Sequence, residues 1–273
     1  MSAIDFAQFV EDLATASGEA ILPFFRTQMG ADDKSHGGVF DPVTEADRAA
    51  ESIMRSMIQQ AFPEHGIVGE EFGNKNSDAD YVWVLDPIDG TKSFIAGMPV
   101  WGTLIGLQHA GRPCCGMMHQ PFTRERFSGD SKSATWRGLD SLGRPAERRL
   151  HTRACRDLAS ATLMTTHPAL LTPETLAPFR RVEDMVRLSR YGGDCYAYCM
   201  VAAGHVDLVI ESGLKPYDIV ALVPIVEGAG GIVTNWQGGS PASGGAIVAS
   251  GDKHLHEQAL RILNTANGHD ARP

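Results

Sequence analysis

A chain of 273 residues with 43% hydrophobic and 21% charged side chains, 29 Gly and 15 Pro has the composition of a globular protein with a large core. Collagenous, coiled-coil and disordered chains are excluded. The formal charge of −9, from 33 acidic against 24 basic residues, argues against a surface built to grip nucleic acid and fits a cationic ligand or a metal ion better.

Apolar residues recur at Phe6, Phe9, Val10, Leu13, Ile21, Phe24 and Phe25, the spacing of an amphipathic helix over Ile4 to Phe25. Met29 to Asp41, with Gly37 and Gly38 adjacent, reads as an exposed loop. Thr44 then begins a second helix. Thr44 and Asp47 resemble a capping arrangement, Ala50, Ile53, Met54, Met57, Ile58 and Ala61 supply the buried stripe, and the helix ends near Phe62, before Pro63.

Tyr81 to Leu85 is a β-rich apolar run, and Gly102 to Gln108 with Cys114 to His119 form a hairpin around Gly111. Cys114 and Cys115, as successive strand residues, are expected on opposite faces. Ser128 to Arg149 turns polar and Gly-containing and reads as a surface excursion or a boundary. A soft boundary near residue 150 divides the chain into an N-terminal α+β half, 1–150, and a C-terminal α/β half, 151–273. The second half reads as a strand Ala161 to Thr165, a helix Asp194 to Ala203 and a strand Val206 to Ile210. A helix from Tyr217 to about Glu227, strands Gly231 to Thr234 and Ala246 to Ala249, and a last helix after Asp252 complete it. Alternating helices and strands define a layered α/β or α+β fold.

No apolar run approaches the roughly 18 residues of a membrane span, and Asp5 and Glu11 stand where a leader carries basic residues. Neither membrane insertion nor secretion is expected. The five cysteines, Cys114, Cys115, Cys155, Cys195 and Cys199, lack the even spacing of a disulfide framework, so a reducing cytoplasm is expected. Cys195 and Cys199, four apart on a helix, read as packing residues, and His254 and His256 as solvated ones.

Chemistry concentrates in Asp86-Pro87-Ile88-Asp89-Gly90-Thr91, directly after the Tyr81 strand. A turn stiffened by Pro87 can aim both carboxylates and the Ile88 carbonyl at one point, the oxygen-only set that hard cations such as Mg²⁺ require. If Thr91 opens a helix, the N–H groups of Gly90 and Thr91 form an anion site beside the cation, and phosphate fits it. The same tetrad also fits a plain turn with a helix cap. Glu70 and Glu71 emerge after Ile67 and Val68, either toward the same cation or into solvent. Asp41, Thr44 and Asp47 form another acidic cluster where a loop enters a helix, and these residues, like Asp218 after Pro216, also read as helix caps.

Together the Asp41 to Asp47 segment, Gly69-Glu70-Glu71, Asp86 to Thr91, and Tyr217-Asp218 leading to Glu227-Gly228-Ala229-Gly230-Gly231 resemble the inositol monophosphatase family of magnesium-dependent, lithium-sensitive phosphatases. The resemblance spans the chain. It implies a layered αβαβα sandwich of the inositol monophosphatase/fructose-1,6-bisphosphatase type, a homodimer, and two or three Mg²⁺ per active site. It also implies Glu70, Asp86, the Ile88 carbonyl, Asp89 and Asp218 as metal ligands. Asp47, Glu70 and Thr91 would serve catalysis through the attacking water, and Asp89, Gly90, Thr91 and Asp218 would face the phosphate ester. Tyr217 stands where the family more often has Trp, and the loop Lys34 to Phe40 would cover the metals.

Two runs expected to set substrate choice, Arg190-Tyr191-Gly192-Gly193-Asp194-Cys195-Tyr196-Ala197-Tyr198 and Glu211-Ser212-Gly213-Leu214-Lys215-Pro216-Tyr217-Asp218, look like the histidinol-phosphatase branch of the family. Substrate contacts are expected from Arg190, Gly193, Asp194 and Glu211. Acidic Asp194 and Glu211 suit the ammonium and imidazole of L-histidinol phosphate by charge-assisted hydrogen bonds. Asp194 also fits a helix cap, and Arg190 either a phosphate contact or a helix C-terminus. The expected activity is Mg²⁺-dependent hydrolysis of L-histidinol phosphate. Inositol 1-phosphate or another small phosphate ester is the alternative substrate, and a regulatory protein-binding role the alternative of a different class.

Overall fold

The structure is a computed structural model that describes residues 6–27, 32–33, 42–43 and 45–265. Asp41, Thr44 and the segment Lys34 to Phe40 lie outside the described residues. Phe6–Ile21 (α1) buries Leu13, Ala14 and Ile21, and the turn through Pro23 ends it. Asp32–Asp33 (β1) and Pro42–Val43 (β2) pair antiparallel. Glu45–Ala61 (α2) buries Ala46, Ala50, Met54 and Ile58, one residue per turn, and packs beside α1.

Gly66–Gly69 (β3), Gly73–Lys75 (β4) and Tyr81–Asp89 (β5) precede the short helix Thr91–Ile95 (α3). Gly102–His109 (β6), Arg112–Gln120 (β7), Glu125–Gly129 (β8), Ala134–Leu139 (β9) and Pro145–Arg149 (β10) then complete an eight-stranded sheet. Its order is β10-β9-β8-β7-β6-β5-β3-β4, antiparallel except for β3 with β5. The segment from Ser128 to Arg149 is therefore not an excursion. It carries β9 and β10 out to the sheet edge, where one face buries Trp136 and the other meets water, and that half-exposure gives it a polar composition.

The second sheet has five strands in the order β12-β11-β13-β15-β14, from Leu188–Tyr191 (β12), Thr162–Thr165 (β11), Leu208–Leu214 (β13), Gly245–Ser250 (β15) and Ile232–Asn235 (β14). Between β11 and β12 lies Pro173–Glu183 (α4), a helix that sequence periodicity does not announce because Pro178 interrupts it. Asp194–Ala202 (α5) precedes β13. The expected helix from Tyr217 to Glu227 is two pieces, Pro216–Ile219 (α6) and Leu222–Gly228 (α7). Pro224 has no N–H to offer the Val220 carbonyl four residues back, so the ladder restarts. Lys253–Leu263 (α8) follows Asp252, whose carboxylate accepts from the N–H of His254 at 2.8 Å.

α1 and α2 cover one face of the large sheet, while α5, α6 and α7 lie between the two sheets and α4 and α8 cover the far face of the small one. The layers run αβαβα. A core of Leu104, Met118, Phe127, Tyr198, Leu222 and Ile225 joins the large sheet to the middle helices. Cys195 and Cys199 are buried in it, as packing residues are expected to be. His256 is buried rather than solvated, 3% exposed, with Nε2 2.9 Å from the Thr234 hydroxyl. Its place on α8 against β14 puts it inside. No helix among the described residues is long and apolar enough to cross a membrane.

Candidate active site

The Asp86 to Asp89 segment is part of β5, not a turn after it. Asp86 pairs with Leu104 and Asp89 with Gly102, three residues against two, so one residue of β5 is extra. A regular strand would send positions 86 and 89 to opposite faces; the bulge brings both carboxylates to one side. The Asp86 carboxylate accepts from the N–H of Ile88 at 3.1 Å, and the buried Thr103 hydroxyl donates to the Pro87 carbonyl at 2.8 Å. The Thr91 hydroxyl donates to the Ile88 carbonyl at 3.2 Å.

Asp218 enters from α6, where its carboxylate accepts from the N–H of Lys215 at 2.6 Å. Carboxylate oxygens of Asp86, Asp89 and Asp218 all lie within 4.8 Å of one another. Glu70 follows β3 and reaches Asp86, while the buried Asp47 faces Glu70 from the first turn of α2. Burial, reinforced by neighbouring carboxylates, pushes Glu70 up to about 8 and drives Asp86 and Asp89 well above the carboxylate range. Burial raises Asp218 to about 6 against the N–H bond from Lys215. Converging carboxylates, with no basic side chain among the causes that raise Asp86 and Asp89, and an oxygen-only donor set fit a hard divalent cation such as Mg²⁺.

Gly90 is the N-cap of α3 with φ of 84°, and a Cβ there would lie 3.0 Å from the Asp194 carboxylate. Asp194 does not cap α5 through its side chain; Gly193 is the N-cap residue, and it is buried. Instead Asp194 sits at φ 43° and its carboxylate accepts from the Ser93 hydroxyl at 2.5 Å. Asp89 supplies the cap, accepting from the N–H of Cys195 at 2.7 Å. Glu211 is buried and accepts from the Thr166 N–H at 2.8 Å and the Tyr198 hydroxyl at 3.2 Å, and burial pushes it up to about 7.

Beside the carboxylate cluster lies a cavity of about 160 Å³ whose walls include Asp89, Asp194, Tyr198, Glu211 and Asp218, with His167 and Leu170 also lining it. Arg190 is exposed on β12 and is not among the residues lining it.

Sequence reading missed Glu51. Its buried carboxylate accepts from Arg55 Nε at 2.7 Å and from the N–H groups of Glu71 and Phe72 at 2.8 and 3.1 Å, gripping the turn that presents Glu70. A Cβ on Gly69 would lie 2.1 Å from Glu51 Oε1. The signal was present: Glu51 interrupts the apolar stripe of α2 one turn after Asp47. Ser93 was also missed, because its partner lies 101 residues away, while Tyr198, at the end of the run expected to set substrate choice, meets Glu211 13 residues on.

The sequence profile of the inositol monophosphatase family matches residues 4–267, and the chain belongs to that family. The family's members are phosphoric monoester hydrolases that depend on Mg²⁺. The chain is 47% identical over 270 residues to the bifunctional phosphatase IMPL2, chloroplastic, of Arabidopsis thaliana, covering 94% of this chain and 75% of that one. It is 36% identical to the histidinol-phosphatase of Mycobacterium tuberculosis, covering 82% and 85%. Among solved structures, an inositol monophosphatase from Zymomonas mobilis superposes with a TM-score of 0.84 at 42% identity, covering 96% and 98%.

Proposed function

We propose that this phosphatase hydrolyses L-histidinol phosphate to L-histidinol and phosphate. One observation carries the substrate assignment: Asp194, held at φ 43° by its bond from Ser93, presents a carboxylate to the cavity next to Asp89. A non-glycine residue in that backbone region costs on the order of 1–3 kcal/mol, which points to a side chain needed where it stands. An ammonium group on the substrate would pair with it by a charge-assisted hydrogen bond. Relatives named histidinol-phosphatase support the same reading.

In this reading Glu70, Asp86, the Ile88 carbonyl, Asp89 and Asp218 hold two or three Mg²⁺, which when bound supply positive charge for the phosphate and a water of lowered pKa. The chain's own groups do the positioning. Thr91 spends its hydroxyl proton on the Ile88 carbonyl, so its oxygen is left to accept from the attacking water. Glu70 would take a proton from that water at its carboxylate, with Asp47 behind it. The N–H groups of Gly90 and Thr91 face the phosphate, and Gly193 lets α5 start close beside it. Glu211 holds the far wall. A cytoplasmic homodimer is the form we propose.

The test is phosphate release with Mg²⁺ from L-histidinol phosphate, inositol 1-phosphate, fructose 1,6-bisphosphate and 3′-phosphoadenosine 5′-phosphate at equal concentration. A preference for histidinol phosphate of at least ~10-fold in kcat/KM, lost in Asp194→Asn, is expected if one charged contact of about 1.5–3 kcal/mol decides. Preference for another ester would overturn the substrate assignment.

A further inference from the structure

The two adjacent cysteines of β7 do not point apart. Leu107 pairs with Cys115 and Gln108 with Pro113, which leaves Cys114 as the extra residue of a bulge. Both side chains consequently pack against the same apolar cluster of Trp83, Leu107 and Met117, and both are half-buried. The Cys114 thiol lies 3.4 Å from the Leu107 carbonyl and in hydrogen-bond contact with the Cys115 thiol. That contact lowers the pKa of Cys114 and raises that of Cys115, so one proton leaves the pair more readily than from an isolated thiol.

Cys115 opens into a cavity of about 640 Å³ beneath α1, shared with Phe6, Val10, Trp83 and Met117. Met117, two residues on from Cys115, presents a thioether to the same space. Cys115 and Met117 at the cavity wall, with the Cys114 thiol packed on the same apolar cluster, are a soft ligand set, opposite in character to the oxygen-only cluster of Asp86, Asp89 and Asp218. The other three cysteines are buried, and Cys195 and Cys199 sit within the core between the sheets.

We propose that Cys114 and Cys115 form a chelating dithiol site for a soft, thiophilic metal or metalloid ion, separate from the phosphatase centre. Phenylarsine oxide is the probe. Two S–H bonds and the arsenic–oxygen bond break, two arsenic–sulfur bonds form, and the oxygen leaves as water with both thiol protons. Arsenic stays trivalent throughout.

The folded protein, with Mg²⁺ present, should capture one phenylarsine oxide per chain and lose two titratable thiols. Peptide mapping of the adduct should find it bridging Cys114 and Cys115. Cys114→Ser and Cys115→Ser should each weaken retention about 100-fold, because a second tethered thiol raises the local concentration by that order or more. A dithiol should reverse the adduct and an equal concentration of monothiol should not. Cys114→Ala and Cys115→Ala, with thermal melts alongside, repeat the measurement where a serine hydroxyl disturbs the apolar contact. An adduct mapping to Cys155, Cys195 or Cys199, or undiminished retention by any folded single variant, overturns the site.

Discussion

The N–H of Cys195 donates to the Asp89 carboxylate at 2.7 Å, across 106 residues of sequence. One side chain therefore closes the start of α5 and faces Asp86 and Asp218. Asp89→Asn should separate the two tasks, since an amide oxygen still accepts from Cys195. Mg²⁺ affinity should fall about 10–100-fold, as loss of a contact in or around a metal site does. The metal-free variant should be more stable than the metal-free parent by about 0.5–2 kcal/mol, because a charge buried among like charges has gone. Denaturant unfolding in chelator and Mg²⁺ titration check the pair, and a variant less stable without metal would refute the account.

The acidic cluster sets a pH dependence whose sign is opposite to that of ordinary paired carboxylates. Burial raises Asp218 to about 6, Glu211 to about 7 and Glu70 to about 8, above unfolded values of about 4. Folding then takes up protons, so stability is full below the unfolded pKa and is lost as pH rises through about 6 to about 8. Saturating Mg²⁺ should restore more stability at pH 8 than at pH 6, since binding competes with those protons. Thermal melts with chelator and with Mg²⁺ measure the difference. A chelated protein that gains stability from pH 6 to pH 8 contradicts the cluster.

On the acid side two buried histidines matter, His256 and His119, the latter 5% exposed and lowered to about 4 by burial and by Arg126. Its folded pKa lies below the unfolded value, so its contribution is present above about 6.5 and lost as pH falls toward 4. The full loss is on the order of 3 kcal/mol. Urea unfolding of the parent and of His119→Gln between pH 6.5 and pH 4.5 should give a shallower fall in the variant. Equal slopes would assign the acid sensitivity elsewhere.

Glu51→Gln tests the grip on the Glu70 turn. Losing a charged acceptor for Arg55 and two N–H groups should cost about 2 kcal/mol of stability. If the grip positions Glu70, the Mg²⁺ concentration for half-maximal activity should rise by about 10-fold while the substrate KM in saturating Mg²⁺ stays put. A change in stability alone would reduce Glu51 to a structural residue.

The acidic motifs were legible because Asp86, Asp89, Glu70 and Asp218 each stand at the end of an apolar run or beside a proline. What the sequence did not disclose is how they converge. The bulge in β5 and the bulge at Cys114 both arise from pairing with β6, and a strand's register depends on its neighbour as much as on itself. Asp194 read as a substrate contact with a helix cap as its alternative, and it is Asp89 that takes the cap, which needs contact between distant segments. The polar strands β9 and β10 were lost for a different reason: edge strands need only half a hydrophobic pattern. Periodicity likewise overlooked α4, whose first residue is Pro173 and whose interior holds Pro178.

The inserted residue between Asp86 and Asp89 makes the acidic cluster a matter of parity. Along a regular strand an odd separation divides side chains between two faces, and one added residue converts that division into convergence. Were β5 to pair with β6 residue for residue, without the bulge, every carboxylate would remain in the sequence while one of them turned toward the opposite layer. Composition and motif content would survive such a change; the convergence would not, and the acidic cluster would go with it.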